Sequence, residues 1–467
     1  MNQAQLIEAL GALVGPQHVL HSPEDLYLYG YDASLDRGAP QAVALPGSAE
    51  EAAAVMRLAH GENLPVTPRG AGTNLSGGSV AAAGGIVLAL SRLNRILEID
   101  LPNRCALVEP GVFNLTLQKA VAPHGYLFAP DPASQKVSTL GGNVGENSGG
   151  PHCLKYGVTL NHVLGMELVL PDGETVFVGG KAPDRPGYDL TGLLVGSEGT
   201  LGIATKILVR LTPQPEGVRT LLALFDDLGS AGRTVSAVIA AGIIPATLEM
   251  MDHTVIQAVE RATHAGLPLD VAALLIAEVD GLQDELDEQA AQITAICQQQ
   301  GAREVKAAHS QAERDALWAG RRGAFGALGQ LAPSYLVLDG TVPRTRLPEA
   351  LERVAEVGRR YGLAIGDVFH AGDGNLHPLI LFDPQEPGIL EKVRAAGAEI
   401  LHACADLGGT ITGEHGIGLE KIEAMPLIFS PADLEAMWAV KRALDPAGVA
   451  NPGKVLPPRP PQQEVAA

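Results

Sequence analysis

The chain has 467 residues, 46% hydrophobic and 18% charged, enough apolar material for two or three packed units at about 150 residues each. Lys and Arg total 33 against 53 Asp and Glu, a formal net charge of −20. That excludes a nucleic-acid backbone as the main partner, because phosphate binding needs a basic footprint; a small anionic substrate, which one local Arg can hold, is not excluded.

The first stretch reads strand–helix–strand. A short apolar strand over 41–45 turns at Pro46-Gly47. Ser48, with Glu51 three residues on, is a capping box for an alanine-rich helix to about His60, and the next strand spans 64–67. The pattern recurs with a strand at 106–109, a helix at 114–121 and a strand at 126–129. A second region opens near Pro213-Gln214-Pro215. It predicts a strand at 219–225, a helix at 229–241, strands at 246–250 and 272–279, a helix at 282–300 and a strand at 303–307. A helix carrying Trp318 and Arg321 follows, then a strand at 335–339, a helix at 347–361, strand–loop–strand over 363–382 and a helix to about Ala405. Such alternation implies an α/β or α+β layer architecture. Two β-α-β-like units in succession suggest a ferredoxin-like sheet with helices on one face. The last helix, Pro431 to Leu444, reads as a return to the first region, and Pro457-Pro458-Arg459-Pro460-Pro461 as a disordered or polyproline end. The expected units are residues 1–215, 216–425 and 426–467.

Four cysteines, at 105, 153, 297 and 404, make no C-x-x-C pair. An iron–sulfur cluster or Cys-rich zinc knuckle is therefore not expected, and a reducing compartment is. The N-terminus lacks a signal-peptide pattern and no run nears 18 apolar residues, so the expected location is cytoplasmic.

Three glycine-rich stretches carry the first chemistry. Pro68-Arg69-Gly70-Ala71-Gly72-Thr73-Asn74-Leu75-Ser76-Gly77-Gly78 lets a backbone approach a ligand closely, and successive N–H groups there can cradle an anion. It is neither the Rossmann fingerprint nor a P-loop, so a ligand loop and a plain turn both stay open. The second follows Pro130-Asp131-Pro132: Ser138-Thr139-Leu140-Gly141-Gly142-Asn143-Val144-Gly145-Glu146-Asn147-Ser148-Gly149-Gly150 reads as one long functional loop rather than a core element. The third, Gly196-Ser197-Glu198-Gly199-Thr200-Leu201-Gly202-Ile203, is expected straight after an apolar strand. Three such loops suggest a large diphosphate ligand held by backbone amides.

Further motifs carry side-chain chemistry. In Phe369-His370-Ala371-Gly372-Asp373-Gly374-Asn375-Leu376-His377-Pro378, two histidines flank a tight Asp-Gly turn, and a hairpin there would set them facing each other. Thr412-Gly413-Glu414-His415-Gly416 places a carboxylate beside a third histidine. Three histidines and a carboxylate suit a borderline divalent metal such as zinc; histidines serving only as loop hydrogen-bonders are the alternative. In Leu317-Trp318-Ala319-Gly320-Arg321-Arg322, the Arg pair at a helix end is either a solvated face or a carboxylate grip.

Taken together, the three glycine loops resemble the flavin domain of the vanillyl-alcohol oxidase / p-cresol methylhydroxylase superfamily. With the C-terminal motifs, the whole chain resembles its FAD-linked D-2-hydroxyacid dehydrogenases, closest to the glycolate oxidase flavin subunit and D-lactate dehydrogenase. The resemblance implies an α+β fold: a two-subdomain FAD-binding domain plus a ferredoxin-like cap. It implies FAD contacts from the three loops together with Pro132, Tyr156, Gly157 and Asn451, and non-covalent FAD, since the first loop has Thr73 and Asn74 and no His. It assigns His370, His377 and Glu414 to the metal, His415 to the catalytic base and Arg321 to the substrate carboxylate. Adjacent residues in an extended chain point opposite ways, which fits separate jobs for Glu414 and His415. The residues that grip a distal carboxylate in the 2-hydroxyglutarate enzymes are matched here by Phe325 and an apolar residue near Val337, which favours glycolate or D-lactate. The implied reaction is oxidation of a small D-2-hydroxy acid to the 2-oxo acid, with hydride passing from C2 to FAD. The alternatives are a 2-hydroxyglutarate-type enzyme, a metal hydrolase without flavin, and an FAD-bearing assembly subunit without turnover. Electrons must leave to an iron–sulfur subunit, a quinone or a soluble carrier. A homodimer, or a hetero-complex that a partner tethers to the inner membrane, are the assemblies to expect.

Overall fold

The computed structural model describes residues 1–182, 186–264 and 266–459. Near the N-terminus, strands Ala42–Ala44, Ile86–Ala89 and Val66–Arg69 run parallel, with Val19–Leu20 antiparallel at one edge. Helices Gln3–Val14 and Ala49–Glu62 bury one apolar stripe each against this sheet, through Leu6, Leu10 and Val14 and through Ala52, Val55, Met56 and Ala59. A five-stranded antiparallel sheet follows in the order Ile96–Asp100, Cys105–Val108, Ile203–Arg210, Val163–Val169, Thr175–Gly179.

The third sheet is larger. Its order is Ala302–Ala307, Gly217–Phe225, Ala273–Gly281, Thr247–Asp252, Ala364–His370. The last strand then pairs with both Asn375–Leu376 and Pro378–Phe382. Expectation and structure part here. In Gly217–Phe225 the odd positions Leu221, Ala223 and Phe225 join one core, with helices Leu228–Ala240, Gln283–Gln299 and Leu347–Tyr361; Leu222 and Leu224 join another, with helices His253–Thr263 and Gln311–Leu328. Helices thus cover both faces, not one, and a strand buried on both sides reads as a continuous apolar run. The helix His253–Thr263 was not expected. Its signal is Asp252, whose carboxylate accepts the Val255 N–H, followed by Val255, Ile256 and Val259 on one buried face.

Two further corrections concern the glycine stretches. Leu140–Glu146 is a helix, capped by Thr139 and anchored by buried Leu140 and Val144 four residues apart, inside what the sequence suggested was open loop. The third stretch follows a short helix, Leu190–Leu194, rather than a strand.

The helix Pro431–Leu444 lies where the pattern placed it. Its buried Lys441 donates from Nζ to the carbonyls of Thr200 at 2.7 Å and Ala450 at 2.8 Å, tying the C-terminal segment to the first region. Trp438 Nε1 donates to the Pro457 carbonyl at 3.1 Å; the expected loose end beyond Arg459 lies outside the described residues. Among the described residues no helix is long and apolar enough to cross a membrane.

Candidate active site

A cavity of about 320 Å³ runs between the three glycine stretches and the large sheet. One wall is backbone. Gly70 packs so closely that a Cβ would stand 2.2 Å from Thr139 Oγ1, and one on Gly199, at φ +69°, would stand 2.3 Å from Pro68 Cγ. These are positions where glycine is required, because the stretches press against one another there and leave no room for a side chain. Two buried polar atoms on this wall, Ser138 Oγ and Asn143 Nδ2, have no hydrogen-bond partner. Orphan donors beside a glycine-built cradle fit a polar, phosphate-bearing ligand.

Most positions expected to touch a cofactor line this cavity, from Pro68 to Asn74, then Gly78, Pro132, Ser138, Thr139, Gly141, Gly142, Asn143, Gly145, Ser148, Glu198, Gly199, Gly202 and Ile203. Ser76, Gly77, Asn147, Gly149, Gly150, Tyr156, Gly157 and Asn451 do not. They brace the loops instead. Ser76 Oγ donates to the His415 carbonyl at 2.9 Å, and Asn451 Nδ2 donates to the Gly78 and Glu198 carbonyls at 2.9 and 2.7 Å. Asn147 ends its helix in the left-handed region at φ 53°, and the Tyr156 hydroxyl bonds Asp280 at 2.6 Å. Gly77, Gly149, Gly150 and Gly157 sit where a Cβ would meet Leu419, Glu414, Asp131 and Asn161 respectively. Glu198 lines the cavity, but its carboxylate accepts the N–H groups of Ile417 at 2.7 Å and Gly418 at 2.9 Å, joining the third glycine stretch to the loop that bears Glu414.

The opposite wall is charged side chains. His370 ends the strand Ala364–His370 and His377 follows the short return strand Asn375–Leu376, so the expected hairpin sets the two rings edge-to-face, centroids 5.1 Å apart. Glu414 Oε1 lies 3.0 Å from His370 Nε2 and 3.2 Å from His377 Nε2. Bonds of about 2.1 Å to a tetrahedral ion put donor atoms about 3.4 Å apart, so this spacing lies a few tenths of an ångström inside the edges of a coordination shell. Both ring nitrogens of His377 are buried without a hydrogen-bond partner. Lone pairs and a carboxylate facing one another at this range call for a proton or a cation between them, so the donor set fits a divalent metal.

Glu414 and His415 do not point opposite ways. His415 Nε2 is 3.7 Å from Glu414 Oε1, and its ring stacks on that of His377 at 4.8 Å. The chain here is not extended: the N–H groups of Gly413, Glu414 and His415 all converge on the carboxylate of Asp339, at 3.0, 3.2 and 2.8 Å, and curl the loop around it. Asp339 is fully buried and also paired with Lys421 at 3.2 Å. The sequence reading did not single it out; its only trace is an acidic residue at the end of an apolar strand, Leu336-Val337-Leu338-Asp339.

Arg321 lies within the helix Gln311–Leu328 rather than at its end, and is 3% exposed, which removes the solvated-face alternative. Its Nε and Nη2 both meet Glu249 Oε2 at 2.6 Å. The neighbouring Arg322 is exposed and lies over the Trp318 ring.

Burial and charge set the protonation of this wall. Burial would lower the His370 imidazole, but the carboxylates of Glu249 and Glu414 outweigh it and hold the ring well above its usual range. Burial would raise Glu414, and His370 and His377 reverse that and hold it well below. His415 is pushed down to about 4, by burial first and, more weakly, by His377, so it is a neutral imidazole at pH 7.

Residues 40–179 match the family described as FAD binding domain, and residues 214–455 match FAD linked oxidases, C-terminal domain. The chain belongs to the FAD-linked oxidase family. The glycolate oxidase subunit GlcD of Escherichia coli K12 is 44% identical over 98% of this chain and 92% of the relative; GlcD of Bacillus subtilis is 42% identical over 96% of each. D-lactate dehydrogenase of Anaerostipes hadrus is 33% identical over 95% of both chains. Among solved structures, p-cresol methylhydroxylase with substrate bound superposes with a TM-score of 0.81, at 18% identity over 97% of this chain and 96% of the other. A 4-ethylphenol oxidase of Gulosibacter chungangensis gives 0.82, at 20% identity over 97% of each. These two likenesses carry the fold of the FAD-linked oxidases, mixed helix and sheet around an FAD-binding domain of the p-cresol methylhydroxylase type. FAD is the cofactor that this family's first domain binds.

Proposed function

We propose that this FAD-linked oxidase oxidises a small D-2-hydroxy acid, glycolate or D-lactate, to the 2-oxo acid, with help from a divalent metal, a role that zinc fits, and a histidine base. The observation that carries it is one cavity in which a glycine-built cradle faces Arg321, His370, His377, Glu414 and His415. The relatives named for glycolate oxidase and D-lactate dehydrogenase support the substrate class. In this reading the cradle would hold FAD non-covalently as the hydride acceptor, and His370, His377 and Glu414 would hold a metal whose charge would favour ionisation of the substrate hydroxyl. Arg321 grips the substrate carboxylate, since a planar guanidinium matches two carboxylate oxygens. His415, neutral and set beside Glu414, accepts the hydroxyl proton at Nε2. Phe325 lines the same cavity, with no partner for a second carboxylate, which supports a monocarboxylate over 2-hydroxyglutarate; Val337 does not line it, and Arg322 does.

The proposed division is residues 1–215 for FAD, 216–425 for the substrate cap and 426–467 as a returning segment. Two electrons must then pass to an acceptor outside the chain. An iron–sulfur subunit, a quinone or a soluble carrier fits, and the glycolate oxidase relatives named as subunits support assembly into a complex. Anaerobic titration of the yellow protein with glycolate, D-lactate, L-lactate and D-2-hydroxyglutarate tests the substrate. Bleaching by glycolate or D-lactate is expected, and bleaching by D-2-hydroxyglutarate alone would overturn the choice.

A further inference from the structure

One buried acid on this wall has no part in the chemistry above. Glu249 lies on the strand Thr247–Asp252, in register opposite His370 on the neighbouring strand, and is 1% exposed. Its two oxygens serve two different arms of the site. Oε2 accepts from Arg321 Nε and Nη2, both at 2.6 Å; Oε1 accepts from His370 Nδ1 at 2.7 Å and from Thr247 Oγ1 at 3.2 Å. We propose that Glu249 is a positioning residue that locks the carboxylate-gripping guanidinium and a metal-binding imidazole to each other. The inference rests on the roles proposed above for Arg321 and His370.

The chemistry requires a carboxylate. With Nδ1–H donating to Glu249, Nε2, the nitrogen 3.0 Å from Glu414 Oε1, is the one whose lone pair would face a metal that displaces its proton. With Nε and Nη2 fixed on one oxygen, the Arg321 fork is held along one edge, and its plane is set before a substrate arrives. A glutamine has the same shape but one acceptor oxygen and one NH₂ group. Whichever way its amide is turned, the NH₂ faces either the guanidinium or Nδ1–H, donor against donor. One arm must then let go. An aspartate keeps the charge but is one methylene short of spanning both partners.

The test uses the FAD-loaded protein stripped of metal by chelation. Zinc affinity is read by competition with a chromophoric chelator, in wild type, E249Q, H370A and the E249Q/H370A double variant; KM and kcat for D-lactate are read after zinc is restored. E249Q is expected to weaken zinc binding by about 10- to 100-fold or, if its amide turns the other way, to raise KM while zinc binding holds. FAD content should stay near wild type, while the melting temperature falls, because Arg321 keeps its buried charge without a full counter-charge. The zinc effect should vanish in the H370A background, which a general loosening of the fold would not produce. Unchanged zinc affinity together with unchanged KM would overturn the proposal, as would an equal loss of zinc affinity in the H370A background. Should E249Q not fold, E249D carries the same test with the same two readouts. If wild-type zinc binding is itself indifferent to H370A, the proposed metal site fails instead, and the two failures are told apart.

Discussion

Across the cavity, two walls meet the same space with different materials. On the side of residues 68–78, 138–150 and 196–203, the chain offers backbone and small groups, and the side chains that matter are those that are absent: a Cβ at Gly70 or Gly199 would collide with Thr139 or Pro68. On the side of Arg321, His370, His377, Glu414 and His415, long ionisable groups are buried, and two carboxylates, Glu249 and Asp339, hold their side chains or backbone. A cradle for a large ligand needs shape and N–H groups along a length of chain; a reaction centre needs a few charges placed within tenths of an ångström. The first is achieved by close packing of three local stretches, the second by convergence of residues from 249 to 415.

The comparison predicts that damage to the two walls separates cleanly. The largest effect is expected from His415→Asn, which should slow anaerobic flavin reduction by about 10²–10⁴-fold, the usual worth of a positioned general base, with FAD still bound. A rapid-mixing absorbance measurement checks it, and loss of the yellow colour from this variant would break the division. Gly199→Val does the opposite. A β-branched residue at φ +69°, with its Cβ against Pro68, should weaken FAD binding at least about tenfold; the variant should purify pale, and its FAD affinity can be read by flavin fluorescence.

The smallest expected effect lies where the walls join. His152 Nδ1 is 2.8 Å from Asp131, beside the cradle, and Nε2 is 3.6 Å from Glu278, on the large sheet. Burial would lower its pKa, but these two carboxylates raise it from 6.5 to about 10. A group whose folded pKa is raised stabilises fully below the unfolded value and loses that contribution as pH climbs through the folded one. Stability from His152 should therefore decline between about pH 6.5 and pH 10. Melting temperatures at about pH 6 and about pH 9 should differ less in His152→Gln than in wild type.

The two walls were also unequally legible in sequence. Glycine density betrayed the cradle because close backbone approach leaves no other residue type possible, and the His-x₆-His hairpin showed itself through its Asp-Gly turn. The helix Leu140–Glu146 was hidden by the same glycines, since only Leu140 and Val144 mark its buried face. Asp339 and Glu249 stayed invisible for a different reason. Glu249 lies inside the mostly apolar strand Thr247–Asp252 and Asp339 just beyond the strand Ser334–Val337, and their partners, Arg321 with His370 and the 413–415 backbone, are far away in sequence. Nothing local distinguishes a carboxylate that orients a catalytic group from one that faces water. The directions of Glu414 and His415 were misjudged because the curl of their loop is imposed by Asp339.

On the proposed mechanism, the charged wall acts through a metal beside a flavin already seated in the cradle. The most direct measurement is the rate of flavin reduction by D-lactate, under anaerobic conditions, in protein treated with a chelator and shown by elemental analysis to be metal-free, then again after zinc is returned. The protein is expected to stay yellow throughout, to be reduced slowly without metal and to recover its rate with it. Full-rate reduction in the verified metal-free protein would contradict that mechanism.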